Sequence, residues 1–363
     1  MVPPELRLDL RQPGDVLASG PARRHIVDRR RAARRPWYAI AVSSAADPSA
    51  PPPPPPAFEA SDYSWLVGFE GDWRDTWWNR DFVELIARRL RLGEVRAAVD
   101  VGCGVGHWGR TLLPVLHGDA TLVGVDREPS FVARAAAEAE ACGVAARTSY
   151  VEGLAEALPL PDASVDLATC QTVLMHVADP LRVLREMRRV LRPGGLLLAV
   201  EPNNFAEKAT ALVTAPGLSR ADWLSLLELE ATCQDGKRAL GQGDSSVGER
   251  LPGLFREAGL GDLHVCQSDK CAALIPPYET PAEREELRQV LAWIDGGIWL
   301  GTGGTRDRVH ALYLAGGGDP AQFERLWAIA MQEARAWKQA ALARTLDGAR
   351  GVTFYLVSGR KPA

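Results

Sequence analysis

The sequence predicts an α/β fold in which helices cover both faces of a mostly parallel sheet. Three observations predict it. From residue 97 onward, short apolar runs with strand character alternate with segments of helical period. The first run empties into a glycine turn, VDVGCGVGHWG, at residues 99–109. The second run ends on an acid, Asp126. Parallel strands need crossover connections, usually helices, and this alternation supplies them.

Taken in order, an amphipathic helix comes first, over residues 80–92, with Phe82, Leu85, Ile86 and Leu90 at helical spacing. AAVDVG is a buried strand, and HWGRTLLPVLH opens a helix behind it. ATLVGVD is the second strand, followed by the alanine-rich helix EPSFVARAAAEAEA. TSYVEG and SVDLATC are the third and fourth strands, and PLRVLREMRRVL the helix after them. Arg192-Pro193-Gly194-Gly195 breaks that helix, because proline lacks the amide donor and glycine tolerates positive φ. LLLAVE is the fifth strand. ADWLSLLELEAT then reads as a helix inside an insertion, VGERLPGLFREAGL as a helix closed by Gly259, and LHVCQSD as a strand. VTFYLVSG, residues 352–359, is the last strand. Between these two strands, EREELRQVLAWI and QFERLWAIAMQEARAWKQAAL carry helical period, so a helical insertion is expected to cap one edge of the sheet. Glycine clusters at 296–297 and 316–318 are candidate hinges of a lid.

The expected organisation is therefore fourfold. Residues 1–60, with six consecutive prolines at 51–56 and an arginine-rich stretch, form a disordered arm and linker. Residues 61–271 form a cofactor-binding core with an insertion near 203–247, residues 272–350 a helical cap, and 351–363 the final strand and tail. Composition is that of a globular chain, 46% hydrophobic and 24% charged. A net charge of −4 argues against a nucleic-acid binder, whose basic footprint would dominate. No apolar run reaches the roughly 18 residues of a membrane span. The six cysteines show no CxxC pair and no zinc spacing, so free thiols and a cytoplasmic setting are expected. Oligomeric state is left open.

In a doubly wound sheet, ligands bind beyond the carboxyl ends of the strands where strand order reverses. Gly102, Gly104 and Gly106 sit at the first such turn. Their G-x-G-x-G spacing is one residue tighter than the dinucleotide fingerprint, and no basic residue stands ready for a phosphate. Asp126 can accept from both hydroxyls of a ribose, which fixes a nucleoside.

These residues resemble the class I S-adenosylmethionine-dependent methyltransferases, of the small-molecule type that includes ubiquinone-biosynthesis enzymes. VDVGCGVG resembles the family's first motif and VGVDREPSF its second. The run from YVEGLAEALPLPD to LLLAVEP resembles its middle block. The likeness covers residues 80–202 and the two late strands. It implies a Rossmann-like sheet, mostly parallel with its last strand antiparallel, and S-adenosylmethionine as cofactor. Gly102, Gly104 and Gly106 would then lie under the methionine part, Asp100 would hold its ammonium end, and Asp126 the ribose diol. Relatives often carry an aspartate before the position of Ala155. Leu154 stands there instead, so the backbone of Leu154 and Ala155 and apolar packing are expected to hold the adenine. Gln171 would line the methyl region.

For the acceptor, the expectation is methyl transfer to oxygen or nitrogen of a small molecule, with no metal, since no carboxylate cluster suggests one. His176, past the fourth strand, is the first candidate base, with a structural role as its rival. Glu201 could polarise the acceptor, and Asn203 and Asn204 could bond it or simply hold a turn. Trp65, Trp73, Trp77, Trp78, Trp293, Trp299, Trp327 and Trp337 could wall a flat acceptor or pack the cap. Two rival functions are a nicotinamide-dependent oxidoreductase and a non-catalytic cofactor-binding scaffold.

Overall fold

The computed structural model describes Arg74 and residues 77–363, apart from 214, 270 and 352. The expected arm, Trp65 and Trp73 lie outside the described residues. Among the described residues nine strands form: β1 (Ala97–Val101), β2 (Thr121–Asp126), β3 (Thr148–Glu152), β4 (Val165–Gln171), β5 (Leu191–Pro202), β6 (Gly261–Gln267), β7 (Ala272–Leu274), β8 (Gly348–Arg350) and β9 (Phe354–Arg360). Seven make one sheet in the order β3-β2-β1-β4-β5-β9-β6. β1 to β5 pair in parallel, and β9 runs antiparallel to both β5 and β6. Strand order reverses between β1 and β4, which makes their carboxyl ends the switch point.

Among the described residues ten α-helices accompany the strands: α1 (Arg80–Leu90), α2 (His107–Leu112), α3 (Pro129–Ala141), α4 (Pro180–Val190), α5 (Asn204–Val213), α6 (Arg220–Ala239), α7 (Leu251–Glu257), α8 (Pro281–Asp295), α9 (Arg306–Ala315) and α10 (Pro320–Leu342). Side chains alternate across each strand, so β1 sends Val99 and Val101 to one face and Ala98 to the other. The first face packs on Leu184 and Met187 of α4 and Phe255 of α7. The second packs on Phe82 and Ile86 of α1 and Trp108 and Leu112 of α2. Each fully buried Leu or Val contributes about 1.5–3 kcal/mol, so these two layers supply most of the drive to fold.

Local chemistry sets the element ends. Pro180 opens α4 in a position where its missing amide is not needed, and Asp179 accepts from the Arg182 amide at 3.0 Å. The Arg192–Gly195 segment does end α4, yet it belongs to β5 as a bulge. Register there jumps from Val165↔Leu191 to Leu167↔Leu196, with Gly194 at φ 76°.

The two insertions build one helical layer. Leu226, Leu229 and Cys233 of α6 share a core with Val309 and Leu312 of α9 and Phe323 of α10. A Cβ on Gly236 would stand 1.8 Å from the Leu312 carbonyl oxygen, and one on Gly316 1.9 Å from that of Thr232. Gly316 is thus locked into a helix crossing, where the sequence suggested a hinge. The chain leaves for α8–α10 through β7 and returns through β8, which pair as an antiparallel ribbon from Ala272↔Arg350 to Leu274↔Gly348.

Candidate active site

The turn after β1 is shaped by three left-handed glycines, Gly102, Gly104 and Gly106, at φ 64°, 51° and 77°. A Cβ on Gly102 would meet Val173 at 2.6 Å, so the turn abuts the loop after β4. A Cβ on Gly104 would meet nothing within 4 Å, which leaves the backbone open to a ligand. The Cys103 amide donates to the Val125 carbonyl at 3.0 Å and ties the turn to β2.

Asp126, nearly buried at the end of β2, accepts from the Gly104 amide at 2.8 Å and the Glu128 amide at 3.0 Å. A carboxylate has about four lone-pair sites, so each oxygen keeps one for a ligand hydroxyl. The Gly153 amide donates to the Asp126 carbonyl, which brings Leu154 and Ala155 to the same rim. Leu154 is 54% exposed there, and Ala155 packs against the core.

Asp100 points to the α2 face and accepts from the Gly109 amide at 2.9 Å through one oxygen. Its other oxygen is buried with no hydrogen-bond partner among the described residues. Burial pushes this carboxyl up to about 7, against the Gly109 amide and with help from the Asp126 charge. Gln171, ending β4, is also buried, and its side-chain amide nitrogen has no partner among the described residues. Thr172, next in line, sits at φ 55°, a strained value for a β-branched residue. The crevice therefore offers an unsatisfied acceptor, an unsatisfied donor, a carboxylate with spare lone pairs and a bare backbone turn. That donor set fits the amino-acid end and ribose of an adenosyl cofactor.

Beyond the same loop lies a cavity of about 750 Å³. Met175 and His176 after β4, and Pro202 after β5, line its floor. Trp293, Trp299 and Trp337 from the helical layer line its other side, and Trp77 also reaches it. The six described tryptophans of that set thus divide, since Trp78 packs beneath with Phe82, Trp108 and Phe354, and Trp327 packs in the helical layer. Burial, with the charges of Lys237, Arg308, Arg74 and Arg127 adding to it, holds the His176 imidazole well below its usual pKa. It is therefore neutral near pH 7, as a proton acceptor must be.

Glu201 takes a different place from the one expected. Fully buried, its carboxylate accepts from the amides of Val173, Leu174 and Met175 at 2.9, 2.8 and 3.2 Å. It shapes the turn that carries His176 and does not line the cavity. Asn203 likewise caps α5, accepting from the Ala206 amide at 3.0 Å while donating to Glu249. Sequence reasoning missed Gln234 and Lys237 of α6 and Thr302, which line the cavity. No motif marks them, because polar residues on an amphipathic helix read as its solvent face.

A sheet of this order, with a glycine turn at its switch point and an acid ending β2, is an α/β fold of the kind that holds a nucleoside at its switch point. Residues 99–199 match the family described as "Methyltransferase domain". Demethylmenaquinone methyltransferase of Geobacillus kaustophilus is 30% identical over 124 residues, 34% of this chain and 51% of that protein. The ubiquinone/menaquinone biosynthesis C-methyltransferase UbiE of Shewanella frigidimarina is 32% identical over 124 residues, 34% of this chain and 48% of that protein. An uncharacterised 37.1 kDa protein of a Streptomyces fradiae transposon is 40% identical over 33% of this chain and 34% of that one. The chain thus spans between a third and a half of these relatives. Among solved structures, the YcgJ protein of Bacillus subtilis aligns at TM-score 0.42 and 17% identity, over 78% of this chain and 100% of that one. The core is a class I S-adenosylmethionine-dependent methyltransferase domain, and S-adenosylmethionine is its cofactor. The nicotinamide alternative has no support in these matches.

Proposed function

We propose that the protein transfers a methyl group from S-adenosylmethionine to a small-molecule acceptor held in the cavity beneath the helical layer. The observation that carries this reading is the loop 172–176. Its Val173 presses on the glycine turn of the cofactor crevice, while its Met175 and His176 face the cavity. Bound there, the cofactor supplies a methyl group on a sulfonium, ready for in-line displacement.

The remaining tasks fall to the chain. Gly102, Gly104 and Gly106 let the backbone approach the cofactor, Asp100 faces its ammonium, and Asp126 takes the ribose hydroxyls. Leu154 and Ala155 flank the adenine, and Gln171 borders the methyl region. Glu201 fixes the 173–175 amides and so positions His176, the catalytic base. The tryptophans exclude water from the acceptor. Oxygen and nitrogen acceptors both need a proton removed, which His176 accepts. The C-methyltransferase name of one relative extends the reading to a carbon beside an ionised hydroxyl.

Incubating the protein with cell extract and methyl-labelled cofactor tests this. The expected result is a product heavier by one labelled methyl group, seen by mass spectrometry. His176→Ala should lower that yield by about a hundredfold or more, the usual worth of general-base catalysis, with cofactor affinity unchanged. Calorimetric silence toward cofactor, with no labelled product, overturns the reading.

A further inference from the structure

Lys237 stands apart from the cofactor crevice, on the face of α6 that lines the cavity. It is 6% exposed. Its ammonium donates to the Met175 carbonyl at 3.0 Å and to the Ser245 hydroxyl at 2.6 Å. Both partners are uncharged, and among the described residues no carboxylate forms an ion pair with it.

The charged groups around it do not supply one. Arg308 repels it. Asp244 is paired with Arg238 and Arg250, Glu201 is taken by three amides, and Glu230 accepts from Gln234. An ammonium has three donors, of which two are used. Burying a charge without a counter-charge is costly, and burial accordingly lowers the Lys237 pKa to about 7.

The surroundings continue the pattern. One turn back on α6, the Gln234 side-chain oxygen is buried with no partner among the described residues, as is the Thr302 hydroxyl. Both line the same cavity, whose other walls combine the tryptophan rings and Phe354 with charged side chains. Among the latter are Glu207, Glu286 and Asp347, none of which forms an ion pair with Lys237 among the described residues. A chamber with aromatic walls, a buried amine holding one unused donor site and two unpaired polar side chains has the character of a binding site for an organic anion.

We propose that Lys237 anchors an anionic oxygen of the acceptor, and that the acceptor is an apolar, aromatic-sized molecule bearing a carboxylate or an ionised hydroxyl. This rests on the cavity being the acceptor site. Such an oxygen completes the third donor of Lys237 and neutralises it in place. Gln234 and Thr302 then pair with hydroxyl groups on the same molecule. His176, one residue past the Met175 carbonyl, stands next to that anchor.

Three probes of equal size test it on the full chain loaded with S-adenosylhomocysteine: 2-naphthoate, 2-naphthol and 2-naphthamide. Binding is read by calorimetry in two buffers of different ionisation heat. One anionic probe should bind about tenfold tighter than the amide, the worth of one charge-assisted hydrogen bond. Preference for naphthoate identifies a carboxylate; at pH 6, where Lys237 is largely protonated, tight naphthol binding with proton release identifies an ionised hydroxyl. Lys237→Met should remove the preference and leave amide affinity intact, while Lys237→Arg should keep it. Equal binding of all three probes by the wild-type protein overturns the proposal, even where Lys237→Met does not fold. So does a preference that survives in Lys237→Met. Failure to bind S-adenosylhomocysteine at all strikes the methyltransferase reading instead, and is seen before any probe is added.

Discussion

Asp100 and Glu201 are both buried carboxyls lifted to about 7, and their surroundings give them opposite tasks. Glu201 is saturated by three amides, so its ionised form is already served by the fold. Asp100 keeps one oxygen unpaired, so its ionised form waits for a ligand cation. Raised folded pKa values mean that both groups favour the folded state most below pH 4, and that this advantage is lost as pH rises through about 7. The apo protein should therefore melt at lower temperature at pH 8 than at pH 5. An ammonium-bearing ligand favours the ionised Asp100, so cofactor affinity should move the other way. Calorimetry should find it rising about eightfold from pH 6 to pH 7.5, with Asp100→Asn flattening the slope. An affinity independent of pH across that range would remove Asp100 from the site.

The elements that frame the crevice were legible in the sequence for a physical reason. Parallel strands buried on both faces are continuous apolar runs, and their helices carry a clean period, so β1, β2, β4, β5 and α2 to α4 could be read directly, while the exposed edge strand β3 was legible through its Thr, Tyr and Val. The helical layer was harder. α9 and the β7–β8 ribbon went unread, since a three-residue strand leaves no period and α9 carries charge on several sides. Gly316 read as a hinge and Gly236 carried no signal, because their value lies in a neighbour met only in space. That contact makes a prediction at this scale. Gly236→Ala places a methyl group against a backbone carbonyl and must push α9 from α6. The expected result is a destabilisation of about 1–3 kcal/mol, as for an overpacked core, read by chemical denaturation. Proteolysis should then cut the 204–240 and 298–318 segments first. An unchanged midpoint would mean that the crossing is loose.

Across the whole molecule, the crevice proposed for the cofactor and the cavity proposed for the acceptor draw on different parts of the chain. Residues 100–128 and 153–171 make the first, while α6, the 298–304 loop and the turn after β4 enclose the second. Hydrogen exchange should separate them. S-adenosylhomocysteine alone should protect amides in the first group, and 2-naphthoate added afterwards should protect those of 230–237 and 298–304. Protection of both groups by the cofactor alone would show that the two regions order together. The shared core of α6, α9 and α10 carries one more implication, for how such a catalyst changes its diet. The paired ribbon at 272–274 and 348–350 looks like a convenient splice point for grafting. Yet exchanging the segment between those strands by itself would strand Leu226 and Leu229, both fully buried, in water. Lineages or engineers seeking a new acceptor must transplant both inserts together, or none.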